Sequence, residues 1–261
     1  QGDGVAVAGA HGKTTTSAMI ACIAVEGNTD PTVIIGGEVS ALNGNACNGA
    51  GRFIVAEADE SDGSFLKLNP CLALVTNIED DHLDYYGTEE NIYKAFKQFL
   101  GNLVEGGKAI LCVDNAKVKA LAQEIDKEVI TYGLEGADYV AKDICYGVDG
   151  TTYKLYHKDE FVTEVRLIVP GRHNVLNSVG AFVAAREMGI ADETILKALE
   201  QFGGAKRRFE TKGKVNGVWV VDDYAHHPTE IEVTLQAARQ TQPKRLLCLF
   251  QPHRYTRTQL L

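Results

Sequence analysis

The chain has 261 residues, 45% of them hydrophobic and 23% charged, which suits one large globular domain or two smaller ones. Its formal charge of −9 excludes a broad electrostatic surface for nucleic acid but leaves room for a local Arg/Lys cluster around a phosphate. No apolar run approaches the ~20 residues that span a bilayer, and no secretory leader is visible, so no membrane partner and a cytoplasmic location are expected. None of the six cysteines forms a C-x-x-C pair, and reduced, buried thiols are the expectation.

In chain order, GVAVA (Gly4–Ala8) reads as a short buried strand and Lys13–Val25 as a helix, with a glycine turn between them. RFIVAEAD (Arg52–Asp59), CLALVTNI (Cys71–Ile78) and KAILCVD (Lys108–Asp114) are near-continuous apolar runs of strand length. Helical segments at Glu89–Leu100 and Asn115–Ile125 lie among them, the pattern of a parallel sheet covered on both faces. DYVAKDICYG, TTYKLYHKD and FVTEVRLIV, after about residue 136, alternate in the manner of a small antiparallel sheet. Helices follow at His173–Met188 and Asp192–Gln201, then the connector GGAKRRFE. VWVVDD (Val218–Asp223), a helix near Pro228–Arg239 and a strand at Arg245–Phe250 open a second α/β unit, with the boundary near residue 207. The chain starts without Met and stops in RYTRTQLL, where a helix is beginning, so an excised piece of a longer protein is expected.

The chemistry sits in the turns. GAHGKTTT resembles the phosphate loop G-x-x-x-x-G-K-[ST], but with Val7 where that pattern has its first glycine. A glycine turn entering a helix points backbone N–H groups and the positive end of the helix dipole at an anion. Gly9, Ala10, His11, Gly12, Lys13, Thr14 and Thr15 are therefore candidate nucleotide-binding residues. Lys13 reaches for outer phosphates, and a threonine hydroxyl is placed to ligate Mg2+. AEADESDGSFL crowds Glu57, Asp59, Glu60 and Asp62 at a strand's carboxyl end, where only a cation or basic groups relieve their repulsion. In TNIEDDHLDYYG, His82 stands among acids and reads as a metal or phosphate residue or as a satisfied structural one. PGRHNVLNSVGAF offers His173 and Asn174 before a helix, and Lys206, Arg207 and Arg208 in the connector are cations able to reach a phosphate. DDYAHHPTEI and FQPHRYTRT place Asp223, Tyr224, His226, His227, His253, Arg254 and Arg257 in strand-to-helix loops. Arg254 and Arg257 share a helical face and suit a carboxylate.

With these stretches in this order, from residue 4 to the last, the chain resembles the Mur ligases of bacterial cell-wall synthesis, and within them the alanine-adding branch. The resemblance implies an α/β fold: a P-loop-type central ATP-binding domain over residues 1–206, with a mostly parallel sheet flanked by helices and a small antiparallel sheet. Residues 207–261 would be the truncated start of a Rossmann-like, amino-acid-binding domain. It implies ATP-dependent joining of L-alanine to the carboxylate of UDP-N-acetylmuramate through an acyl phosphate, with Mg2+ or Mn2+, in the peptidoglycan synthesis that underlies cell shape and division. By position, Lys13 would hold the β- and γ-phosphates, Thr14 and Glu57 the first metal, and His82 the second. His173 and Asn174 would face adenine or ribose, Arg208 or Arg207 the phosphates, and Asp223 the nucleotide. Lys13, His82 and Arg208 would be the catalytic set; Tyr224, His226, Arg254 and Arg257 would form the substrate end.

Two positions depart from the family pattern. Ala10 stands where Thr is common, and Lys97 lies where related ligases carry a carbamoylated lysine that this branch is not expected to need. The alternatives are a muropeptide-recycling ligase of the same family, a folate-type polyglutamate ligase, a nucleotide-binding module without turnover, and a P-loop kinase. SDGSFL and the Arg254/Arg257 pair favour the alanine-adding branch.

Overall fold

The computed structural model describes residues 2–80, 82–147 and 150–252. The elements in order are β1 (Asp3–Ala8), α1 (Lys13–Glu26), β2 (Thr32–Val39), β3 (Gly44–Cys47), β4 (Phe53–Glu57), β5 (Leu72–Val75), α2 (Leu83–Tyr86) and α3 (Glu89–Gly101). Then come β6 (Lys108–Cys112), α4 (Ala116–Leu121), β7 (Glu128–Gly133), β8 (Tyr139–Gly147), β9 (Gly150–His157), β10 (Glu160–Leu167), α5 (Arg172–Glu187) and α6 (Asp192–Gln201). A smaller unit follows, made of β11 (Glu210–Val215), β12 (Val218–Asp222) and α7 (Pro228–Gln240).

Ten strands form one sheet in the order β10-β9-β8-β7-β6-β5-β1-β4-β2-β3. Pairing is parallel from β2 through β4, β1, β5, β6 and β7 to β8, and antiparallel at both ends. The alternating strands β8, β9 and β10 thus extend the main sheet through a short parallel pairing at Tyr132/Tyr139 and Gly133/Val140. β11 and β12 form a separate antiparallel pair.

Side chains of β1 alternate between two cores, because successive residues of a strand face opposite ways. Val5 and Val7 join α1, α5 and α6 on one face; Ala6 and Ala8 join Phe65, Phe96 and Phe99 on the other. Phe65 stacks on Phe99 at 5.1 Å and meets Phe96 edge-on at 5.4 Å. Helix α1 packs on β1, β2 and β4 and against α5 and α6, and nine of its residues are buried. That burial explains its Ala-, Ile- and Met-rich composition without an obvious polar stripe. α3 is the ordinary amphipathic case: Ile92, Ala95, Phe96, Phe99 and Leu100 face inward, and Thr88 caps it by accepting from Asn91 N–H. Among the described residues no helix is long and apolar enough to cross a membrane.

Four strands go beyond the sequence expectation: β2, β3, β7 and β11. One expected strand is absent. Residues 245–250 are irregular, with Leu247 75% and Leu249 102% exposed, since a strand persists only where a neighbour accepts its ladder. The helix expected at 115–125 is shorter, running Ala116–Leu121 before a turn.

Candidate active site: a phosphate loop facing the second unit

Strands β4, β1 and β5 are neighbours and parallel, so the turns that follow them open at one sheet edge. Three motifs separated by tens of residues meet there: the loop at 9–12, the acidic turn after Glu57, and the stretch from Thr76 to His82. A parallel sheet presents such an edge to ligands. A cavity of about 680 Å3 lies over it, lined by Lys13, Thr14, Glu57 and His82 on one side and by Arg208, Tyr224, His226 and Glu230 on the other. That size suits a nucleotide.

The loop is built to hold backbone close to its ligand. Gly9 (φ 137°) and Gly12 (φ 84°) adopt conformations that side chains avoid, and a Cβ on Gly9 would lie 2.1 Å from Thr76 Oγ1. Two residues after β5 pin the turn. Asn77 Oδ1 accepts from His11 N–H at 2.9 Å, and Asn77 Nδ2 donates to His11 O at 2.9 Å. Thr76 Oγ1 donates to His11 O at 2.6 Å. The 14-residue helix α1 starts immediately after; Thr16 N–H is bonded to Gly12 O at 2.9 Å, and the amides before it have no partner within the helix. A cradle of this shape, at a helix N-terminus, fits a polyphosphate.

Lys13 is folded over the turn, its Nζ donating to Gly9 O and Ala10 O and pairing with Glu60 at 2.8 Å. Glu60 is 3% exposed. Burial pushes its carboxyl up, with the Lys13 ammonium opposing. Thr14 Oγ1 donates to Glu57 Oε1 at 3.2 Å, so the two residues expected to share a metal are adjacent, a hydroxyl and a carboxylate of the oxygen-donor kind magnesium takes. Glu57 Oε2 accepts from Gly36 N–H at 2.7 Å. His82, in the left-handed region at φ 59°, immediately precedes α2 without a side-chain capping bond to it, and its Nε2 lies 4.0 Å from Glu60 Oε1.

His173 and Asn174 line the far wall of the cavity. His173 Nδ1 is closed to solvent without a hydrogen-bond partner, and burial, helped by Arg208, lowers its pKa to about 4. The ring is therefore neutral at pH 7, fit to face an uncharged heterocycle. Asn174 is committed locally: its Nδ2 donates to Pro170 O at 2.7 Å, and its Oδ1 accepts from Asn177 at 3.3 Å. Asp223 shapes its own turn, accepting from Phe209 and Ala225 N–H at 2.8 Å each. Its carboxyl is raised by burial against those bonds. Tyr224 packs under Arg207, 4.7 Å from the guanidinium, and edge-on to His226 at 5.1 Å. Arg208 lies 3.6 Å from Glu230. Arg254 and Arg257, with His253, lie outside the described residues.

Several residues here had no sequence-level assignment. Gly36 and Gly37 interrupt β2 because a Cβ on either would come within 2.8 Å of Glu57 or of Thr14 Cγ2. A glycine pair inside an apolar run is the sign of such close approach. Thr76, Asn77 and Glu230 also border the site without having been singled out, whereas Glu79 stood among the acids around His82 and Glu60 among the crowded acids that called for a cation or basic group, which Lys13 supplies. Lys97 is turned away into an ion pair with Glu124 at 2.8 Å, half exposed. Lys97→Met should leave nucleotide affinity within about twofold of wild type in a titration, as for a surface change within ~0.5 kcal/mol.

A glycine loop between the first strand of a parallel sheet and a buried helix, with Lys13, Thr14 and Glu57 at its mouth, defines an α/β protein of the P-loop type. The chain belongs to the Mur ligase family: the Mur ligase middle domain matches residues 7–185, and the Mur ligase glutamate ligase domain matches residues 207–260. It is 53% identical over 260 residues to the UDP-N-acetylmuramate–L-alanine ligase of Desulforamulus reducens and 49% identical to that of Pelotomaculum thermopropionicum, covering 99% of this chain and 56% of each relative. The chain thus spans little more than half the length of the curated relatives it matches. Among solved structures it resembles the UDP-N-acetylmuramate-alanine ligase of Thermotoga maritima, with TM-score 0.83 and 30% identity over 92% of this chain and 55% of that one. The fold is also that of the MurF ligase of Thermotoga maritima solved in complex with ADP, with TM-score 0.77 and 22% identity over 91% of this chain and 57% of that one.

Proposed function

We propose that residues 1–206 are the ATP-binding part, and residues 207–261 the beginning of the amino-acid-binding part, of a cytoplasmic ligase that joins L-alanine to UDP-N-acetylmuramate in peptidoglycan precursor synthesis. The observation that carries this reading is one cavity walled by the phosphate loop from one side and by Arg208, Tyr224 and His226 from the other. A carboxylate meeting a triphosphate is a meeting of anions, so cations must converge on it.

In this reading Lys13 exchanges Glu60 for the β- and γ-phosphates, and the loop amides hold the remaining oxygens. Thr14 and Glu57 would hold one magnesium ion and His82 another, which when bound would supply positive charge against the phosphate oxygens. His173 and Asn174 line the adenine or ribose side, and Asp223 fixes the turn beneath it. Arg208 brings a charge from the connector. Tyr224, His226, Arg254 and Arg257 form the end that receives alanine and the substrate carboxylate. The carboxylate oxygen attacks the γ-phosphorus and ADP leaves. The alanine amine then attacks the acyl carbon, and phosphate departs with that oxygen.

The last step gives a direct test in the full-length protein. With 18O in the muramate carboxylate, one 18O per turnover should appear in inorganic phosphate, dependent on L-alanine. Unlabelled phosphate would end the acyl-phosphate reading. Titration of an ATP analogue into Glu57→Gln should lose the Mg2+-dependent part of its affinity, about tenfold for one charged ligand.

A further inference from the structure

His11, at the turn of the phosphate loop, is gripped from two sides. Its Nε2 lies 3.1 Å from Glu79 Oε2, after β5, and its Nδ1 lies 3.3 Å from Glu230 Oε1, in the first turn of α7. Ionised carboxylates only accept hydrogen bonds, so both ring nitrogens must donate, and the ring that satisfies the pair is the imidazolium. The side chain is 17% exposed and Glu230 14%. Burial alone would drive the proton off, but the bonds and charges of Glu230 and Glu79 lift the pKa to about 9.

The surroundings are consistent with a charge held there. Asp80 stands beside Glu79. From the second unit, the His227 ring lies 5.2 Å from that of His11, and Arg208 and His226 each approach Glu230 at 3.6 Å. Donor atoms of His11, Glu79 and His227 also lie within 4.8 Å of one another, the spacing of a small cation site. Both His11 nitrogens are engaged by carboxylates there, and His227 Nδ1 accepts from Thr229 N–H at 3.3 Å.

We propose that His11 is a positioning residue: a charged strut that ties the phosphate loop, whose backbone Thr76 and Asn77 already hold, to Glu79 on one side and to Glu230 of α7 on the other, so that the side chain is fixed in full only when the second unit is docked. That the strut serves a nucleotide rests on the function proposed above; the strut itself does not.

The test is amide hydrogen exchange across α7 in the full chain at pH 7 without nucleotide, for wild type, His11→Ala, Glu230→Gln and the double variant. Gln at the third helical position still closes the capping box that Glu230 makes with His227, so the helix start is retained. Each single change should speed exchange throughout α7 about tenfold, and the double no more than either, because both cut the same bridge. Unchanged exchange in His11→Ala, or additive effects in the double, would overturn the strut. Should His11→Ala fail to fold, His11→Gln, with one donor group for two carboxylates, goes through the same cycle. A second readout follows the proton. Analogue affinity should be full below pH 6.5 and fall as the pH rises through about 9 in wild type, and stay flat over that range in the variant. A coupled exchange cycle in a protein that binds no nucleotide would keep the strut and remove the nucleotide reading. Normal binding with an additive cycle would do the reverse.

Discussion

Replacing Lys13 by alanine should abolish measurable binding of a Mg2+–ATP analogue while making the unliganded protein less stable. The two effects have different origins. Binding loses the charge-assisted bonds from Nζ to the phosphates, each worth about 1.5–3 kcal/mol, which together put the loss at roughly 100-fold or more. Stability falls because Glu60, 3% exposed and paired with Lys13 at 2.8 Å, is left buried without its counter-charge. Breaking one side of a buried pair costs about 3–5 kcal/mol. The double variant Lys13→Ala/Glu60→Gln separates them: denaturant unfolding should recover most of the lost stability, and calorimetric titration should still show no binding. Binding that survives in either variant would remove Lys13 from the phosphate site.

Gly9→Ala should be nearly as damaging, through shape alone. The new methyl would sit 2.1 Å from Thr76 Oγ1 and 3.0 Å from Asn77 O, at a φ of 137° that alanine avoids. The clash falls on the two residues that hold the His11 carbonyl and amide, so the loop must leave its cradle geometry. We expect a loss of about 2–4 kcal/mol in unfolding free energy and no nucleotide binding. Adding Thr76→Ala removes the nearest clashing atom and should restore part of the stability, but not the binding, because the backbone strain and the missing clamp remain. A Gly9→Ala protein with wild-type affinity would show that the turn tolerates a side chain and is no close-contact cradle.

What the sequence made legible follows from where the information is local. The β1–loop–α1 unit is contiguous, so GVAVA and GAHGKTTT announced strand, turn and helix together. The pairing of Thr14 with Glu57 rests on two segments more than forty residues apart, readable only because each sits at the carboxyl end of an apolar run. β2 was hidden because Gly36–Gly37 interrupts its apolar pattern, and the reason for those glycines, the nearness of Glu57 and Thr14, exists only once the sheet is assembled. The expected strand at 245–250 shows the opposite failure: the local pattern is strand-like, but a ladder needs a neighbour. The bridge from His11 to Glu230 crosses 219 positions and leaves no periodic trace.

The exposed run Leu246–Phe250 also governs how this chain behaves in a tube. LLCLF is uncharged, free of proline and rich in β-compatible side chains, with Leu249 fully open to solvent. Val215, Val218 and Val220 of the small two-stranded sheet are exposed as well. An uncharged apolar segment such as LLCLF is prone to pair between molecules, and the exposed Cys248 adds a thiol that can cross-link them on standing. Unfolding midpoints and titration curves for the chain should therefore drift with protein concentration, and converge only at low micromolar levels with a reductant present.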